Sequence, residues 1–184
     1  MKKVFIIHGF AATPNGGWRT WLMSELGNKN IYACALPMPN PSQPVCAEWT
    51  AEIKRNIDMN KGDEIYLVGH SLGSTAILRY LESASSGPIA GAVLVSGPTT
   101  KNSRRELDNF LDHYFDYAKI KAGAKKFAVI HGDNDPNVPL SNAETLSREL
   151  GVEPLIIKNG GHLAGHDGFH TFPQCLDALI KIMD

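Results

Sequence analysis

Gly69-His70-Ser71-Leu72-Gly73 limits what this chain can become more than any other stretch. The residues before it, Glu64-Ile65-Tyr66-Leu67-Val68, are mostly apolar with β-branched members, as a buried parallel strand requires. The residues after it, Ser74 to Leu81, carry apolar groups at helical spacing. G-x-S-x-G at a strand-to-helix turn is a nucleophile elbow, which holds a serine in strained backbone geometry and pushes its hydroxyl out at the carboxyl end of the strand. The flanking glycines matter because the turn leaves no room for side chains. The Leu72 N–H falls at a helix N-terminus, where developing negative charge is stabilised.

On either side of the elbow, strands and helices alternate. A first strand, Lys3–Ile7, ends in His8-Gly9-Phe10, and a loop follows with Thr13-Pro14-Asn15-Gly16-Gly17. Trp18, Trp21, Leu22 and Leu26 share one helical face, and Ile31–Leu36 is a short strand. Pro37–Pro44 is rigid and reads as a β–α loop before an amphipathic helix, Ala47–Met59, with Trp49, Ile53 and Ile57 on one face. Lys61-Gly62-Asp63 closes that helix. After the elbow helix come a loop, Ser83–Pro88, and a strand, Ala90–Ser96, ending at Gly97-Pro98. Thr99–Gly123 is charged. Leu107, Phe110 and Leu111 suggest a helix there, followed by an aromatic cluster of Tyr114, Phe115 and Tyr117. Lys126–His131 is a strand, Pro139–Leu150 a helix beginning just inside a proline, and Val152–Ile157 the last strand. A glycine-rich loop, Asn159–Gly168, leads to a closing helix, Phe172–Met183. This alternation predicts an α/β fold: one domain over residues 1–184, with a six-stranded, mostly parallel sheet and helices on both faces.

Composition excludes several function classes. The net charge is −1 with Lys and Arg scattered, so no basic patch points to nucleic acid or to an anionic membrane. The apolar run after Met1-Lys2-Lys3 stops at His8, too short for a signal peptide, and no segment reaches transmembrane length. Cys34, Cys46 and Cys175 are odd in number and widely spaced, which fits reduced thiols and a cytoplasmic setting rather than disulfides or zinc. No dinucleotide or P-loop glycine pattern is present. His162, His166 and His170 are spaced by four with Asp167 between, which would align metal ligands on a helix. Gly160, Gly161, Gly165 and Gly168 argue against a helix there, so neither metal nor cofactor is expected.

A serine hydroxyl needs a base, and the base needs an orienting acid. His162 follows the last strand directly, where a loop can reach back over the carboxyl edge of the sheet. His113, His131, His166 and His170 have weaker positions. For the acid, Asp133 and Asp135 both follow a strand. Asp135 is favoured because Pro136 and Val138-Pro139 stiffen its loop, whereas Asp133 suits bracing bonds to backbone N–H groups. The second oxyanion donor beside Leu72 is expected from Phe10, with Ala11 as the neighbouring alternative. His70 and His8 are expected to support loop geometry. Trp18 and Met38 are candidates to line the substrate pocket, with core packing as the other reading for Trp18, and core packing is expected of Trp21.

The His8-Gly9-Phe10 loop, Trp18, Trp21, Pro37–Pro44, Gly69–Gly73, Asp135-Pro136 and Gly161-His162 together resemble the small α/β-hydrolase serine hydrolases. That group includes retinoblastoma-binding protein nine and the YdeN-like proteins. The resemblance spans essentially the whole chain. It implies a minimal α/β-hydrolase fold with sheet order 2-1-3-4-5-6, and Ser71 as nucleophile, Asp135 as acid and His162 as base. It also implies hydrolysis of carboxylic esters; separately, Thr99–Gly123 is the one insertion able to serve as a lid, and so short a cover points to small or exposed substrates. The retinoblastoma-binding pattern L-x-C-x-E is broken at Pro44-Val45-Cys46-Ala47-Glu48, so no such interaction is expected. The rival reading is a non-catalytic binding module on the same fold.

Overall fold

The computed structural model describes residues 1–60, 62–83 and 87–184. Its strands are β1 (Lys2–Ile7), β2 (Tyr32–Leu36), β3 (Glu64–His70), β4 (Gly91–Val95), β5 (Phe127–Gly132) and β6 (Pro154–Ile157). They form one six-stranded sheet in the order β2-β1-β3-β4-β5-β6, and every pairing is parallel. The helices are α1 (Arg19–Asn28), α2 (Cys46–Asp58), α3 (Leu72–Ser83), α4 (Asp108–Leu111), α5 (Tyr117–Gly123), α6 (Leu140–Leu150) and α7 (Pro173–Met183). Lys61, in the expected turn after α2, and the centre of the expected Ser83–Pro88 loop lie outside the described residues.

The period-two alternation of strand side chains divides the core between the two faces. Phe5 and Ile7 of β1 and Ile65 and Leu67 of β3 pack with Trp49 and Ile53 of α2 and with Leu78 and Leu81 of α3. Val4, Ile6, Tyr66 and Val68 face the other way, onto Trp18, Leu22 of α1 and Leu179 of α7. The elbow helix α3 is buried along its length from Leu72 to Leu81, including the polar Ser74, Thr75 and Arg79. The three cysteines are free. No described helix is long and apolar enough to cross a membrane.

The sequence expectation falls short mainly in 99–123. The helix expected around Leu107–Leu111 is a 3-10 turn at Arg105–Leu107 running into the short α4. The aromatic cluster leads into a second helix, α5, whose N-terminus is capped by the Asp116 carboxylate accepting the Lys119 N–H at 3.1 Å. This segment is fastened to α3. The buried Arg79 guanidinium donates to the carbonyls of Phe110 and His113, pairs with Glu82 at 2.6 Å, and stacks 3.8 Å from the Phe115 ring centroid. Glu82 also accepts the Asp116 N–H. Asn109 ties the same segment to the proline-rich loop, accepting the Cys46 N–H and donating to the Pro44 carbonyl.

Close approach of α3 to β1 depends on glycine. A Cβ on Gly73 would overlap the Ile7 carbonyl and lie 2.7 Å from that of His8. Both obstacles are backbone and cannot move aside cheaply. Gly73→Ala is therefore expected to lower stability by about 1–3 kcal/mol or more, seen as a fall in the urea midpoint.

Candidate active site

Ser71 stands immediately after β3 with a φ of +54°. For a residue other than glycine, this left-handed backbone costs about 1–3 kcal/mol. Its surroundings hold it there. The Ser71 N–H donates to the Val95 carbonyl at 2.8 Å, and its carbonyl accepts the Ser74 N–H at 2.9 Å. The fully buried Ser74 hydroxyl sits 2.9 Å from the Gly69 carbonyl and 3.0 Å from that of Val95, and also accepts the Val95 N–H. Ser74 thus stitches the turn to β4, a role the sequence reading missed.

The loop after β1 passes directly beside the serine. A Cβ on Gly9 would lie 3.0 Å from Ser71 Cβ and 3.5 Å from Ser71 Oγ. The proline-rich stretch braces this loop at two points. The Ala11 N–H donates to the Pro41 carbonyl at 2.7 Å, and the Met38 N–H donates to His8 Nε2 at 3.3 Å. The Ala11 N–H is thus already engaged. His8 Nε2 accepts, so its Nδ1 carries the proton and donates to the Gly9 carbonyl at 2.8 Å. Burial lowers the pKa of that ring, against the raising effect of the Gly9 bond, and keeps it in the neutral form this arrangement needs.

Asp135 lies on the loop after β5, with a side chain closed to solvent. Its Oδ2 accepts from His162 Nδ1 at 2.8 Å, and its Oδ1 accepts the N–H groups of Asn137 and Val138 at 2.8 and 3.0 Å. Burial alone would raise the pKa of this carboxyl. The bond and charge of His162 and the two backbone donors outweigh it, so the pKa lies below the usual value and the carboxylate stays ionised. His131, at the end of β5, closes the acid loop: its Nε2 donates to the Val138 carbonyl at 2.9 Å and stands 3.6 Å from Asp135 Oδ2. The Val138 carbonyl therefore accepts from His131 while the Val138 N–H donates to Asp135.

The His162 loop is held from several sides by acceptors that carry no obvious motif. Asp133 accepts the Asn159 N–H at 2.7 Å, Asn134 the Gly161 N–H at 2.8 Å, and Asp167 the His162 and Ala164 N–H groups at 3.1 Å. Asp133 does brace backbone, but in the histidine loop rather than its own. His70 Nε2 donates to the His162 carbonyl at 2.9 Å, and the two rings lie 5.1 Å apart. The Trp18 indole donates to the Leu163 carbonyl at 2.9 Å.

Trp18 and Met38 both belong to the buried core. Trp18 is 0% exposed, packed edge-on to His70 and Phe172, and Met38 is 4% exposed. Trp21, expected to pack in the core, is half-buried and packs against the same cluster as the fully buried Trp18. Among the described residues, no group of three His, Cys, Asp or Glu side chains is gathered to hold a metal ion. His166 points to solvent beside Asp167, and His170 is exposed.

His131→Leu would strand the Val138 carbonyl. A stability loss of about 1–3 kcal/mol is expected, with most of it recovered in His131→Gln, whose amide can donate from a similar position; urea denaturation measures both. A second expectation concerns pH. Burial first, and then the charge of His162, push His70 down to about 3, against the opposing bond to the His162 carbonyl. The unfolded chain thus takes up this proton near 6.5, before the folded one. The His70 contribution to stability is full above about pH 6.5 and is lost progressively down to about 3. Thermal unfolding followed across that window should fall less steeply in His70→Gln than in the parent.

Comparison with known proteins agrees with this architecture. The Serine hydrolase family model matches residues 4–181. The YdeN protein of Bacillus subtilis (strain 168) is 35% identical over 180 residues, covering 97% of this chain and 94% of that protein. The crystal structure of the Bacillus subtilis ydeN gene product superposes with a TM-score of 0.94 at 34% identity, covering 100% of this chain and 99% of that one. Serine hydrolase RBBP9 of Rattus norvegicus is 20% identical over 167 residues, 89% of this chain and 87% of that protein. Est1E from Butyrivibrio proteoclasticus, solved with ferulic acid bound, shares the fold at a TM-score of 0.79 and 14% identity, covering 100% of this chain and 90% of that one. By the family match over nearly its whole length and its identity to YdeN, the chain belongs to the serine hydrolase family.

Proposed function

We propose that this serine hydrolase is a carboxylesterase acting on small acyl esters through Ser71, His162 and Asp135. The observation that carries the proposal is the 2.8 Å bond between Asp135 Oδ2 and His162 Nδ1, with the His162 ring 5.1 Å from that of His70, the residue before the elbow serine at φ +54°. With Nδ1–H donated to the carboxylate, His162 Nε2 keeps its lone pair and acts as the base. Ser71 Oγ attacks the acyl carbon as its proton passes to Nε2. The carbonyl π electrons move to the oxygen, which rests on the N–H groups of Phe10 and Leu72. As the tetrahedral intermediate collapses, the C–O bond to the alcohol breaks and the imidazolium proton goes to the leaving alkoxide. Water then attacks the acyl-enzyme with the same base, and Ser71 leaves reprotonated with release of the acid. Asp135 orients the ring and stabilises its cationic form throughout. The low pKa of its carboxyl favours the charged form that this role needs.

Fold neighbours give modest support, since Est1E is described with ferulic acid bound. The direct test is labelling by a fluorophosphonate together with turnover of 4-nitrophenyl acetate and butyrate. Labelling should vanish in Ser71→Ala, and kcat should fall on the order of 10³–10⁴-fold in His162→Ala and Asp135→Asn. Equal labelling of the parent and Ser71→Ala, or turnover indifferent to all three substitutions, would return the chain to the binding-module reading.

A further inference from the structure

Of the six arginines, Arg55, Arg79 and Arg148 are paired with Glu52, Glu82 and Glu149. Arg19, Arg104 and Arg105 have no acidic partner among the described residues, and two of these three flank the loop beside Ser71. Arg19, 5% exposed, spends its guanidinium on the Thr13 carbonyl at 2.9 and 3.2 Å. It lies too deep to meet a substrate, yet its charge is uncompensated and lies behind the loop. Arg104 is exposed, and its Cζ stands 5.2 Å from the centroid of the Phe10 ring. Phe10 is the residue expected to present its N–H to the oxyanion, and Gly9 just before it abuts Ser71. A ring face attracts and positions a guanidinium without neutralising it. The Arg104 side chain is therefore held at the rim of the site with its hydrogen-bonding fork free for an anion. The nearest lysine of that segment, Lys101, is already paired with Asp112.

We propose that Arg104 selects ester substrates that carry a negatively charged group, a carboxylate above all, near the scissile carbonyl. A planar guanidinium matches a carboxylate with two parallel N–H bonds, which a lysine does not do. Ester recognition at this rim rests on the esterase reading above and narrows its substrate class. Because Arg104 is exposed, the selection is modest and sensitive to salt. The buried charge of Arg19 adds a background potential of the same sign.

Two pairs of substrates test it on the full chain at low ionic strength. On the acyl side, the mono-4-nitrophenyl ester of adipic acid is compared with 4-nitrophenyl hexanoate. On the leaving-group side, 4-acetoxybenzoate is compared with its methyl ester. In at least one pair, kcat/KM should favour the anionic member by about two- to fivefold relative to the same ratio in Arg104→Gln, the size an exposed ion pair supports. Arg104→Glu should invert that ratio, and added salt should flatten it in the parent but not in Arg104→Gln. Turnover of the neutral esters with ratios that neither substitution nor salt changes overturns this proposal and leaves the esterase reading standing. No turnover of any of the four, together with no fluorophosphonate labelling of Ser71, overturns both.

Discussion

The left-handed backbone of Ser71 is the constraint around which the rest of the molecule is arranged. A serine does not rest at φ +54° unaided, so the surroundings must supply more than the turn costs. Val95, at the end of the neighbouring strand, accepts from both Ser71 and the Ser74 hydroxyl. Gly69 and Gly73 let the helix close against its own strand and against β1: a Cβ on Gly69 would come 2.5 Å from the Ser74 nitrogen. The parallel sheet is what brings these pieces to one edge, because every strand ends on the same side.

From that serine a series of polar contacts runs around the carboxyl edge. β5 ends in His131, which holds the Val138 carbonyl; Val138 holds Asp135, and Asp135 holds His162. The His162 carbonyl returns to His70, the residue before the serine. The first and second crossovers join through His8 and Ala11, which bind the proline-rich loop. The buried His131 Nδ1 has no partner among the described residues, but the remaining bonds link the loops, so the geometry of one is fixed by the others.

Much of this was legible in the residues. Gly69–Gly73 with its flanks reads as an elbow because a sharp turn tolerates little else, and the strands read as buried apolar runs in the expected order. The Asp135-Pro136 and Gly161-His162 loops could be placed because each follows a strand directly. The α5 helix was not legible. It is seven residues long, and its one signal, Asp116 as cap, stands among aromatic residues that suggest only packing. Trp18 could not be assigned by periodicity, since a helix face does not reveal what lies above its first turn. The bracing roles of Ser74, Asp133, Asn134 and Asp167 depend on contacts between distant loops, and small polar residues in loops look alike until the loops meet.

The proline-rich loop, the elbow and the histidine loop share a trait with a practical consequence. Their decisive contacts use main-chain atoms: the carbonyls of Val95, Pro41, Leu163 and His162, and the N–H groups of Ala11 and Gly161. Side-chain truncation leaves those atoms in place. An alanine scan would find the side-chain partners Trp18, His70 and Asn134 but pass over the residues that supply the main-chain atoms, so tolerance of substitution at Pro41 or Leu163 would say little about their importance. Backbone chemistry, such as an ester in place of a single amide, is the perturbation to which this architecture is sensitive.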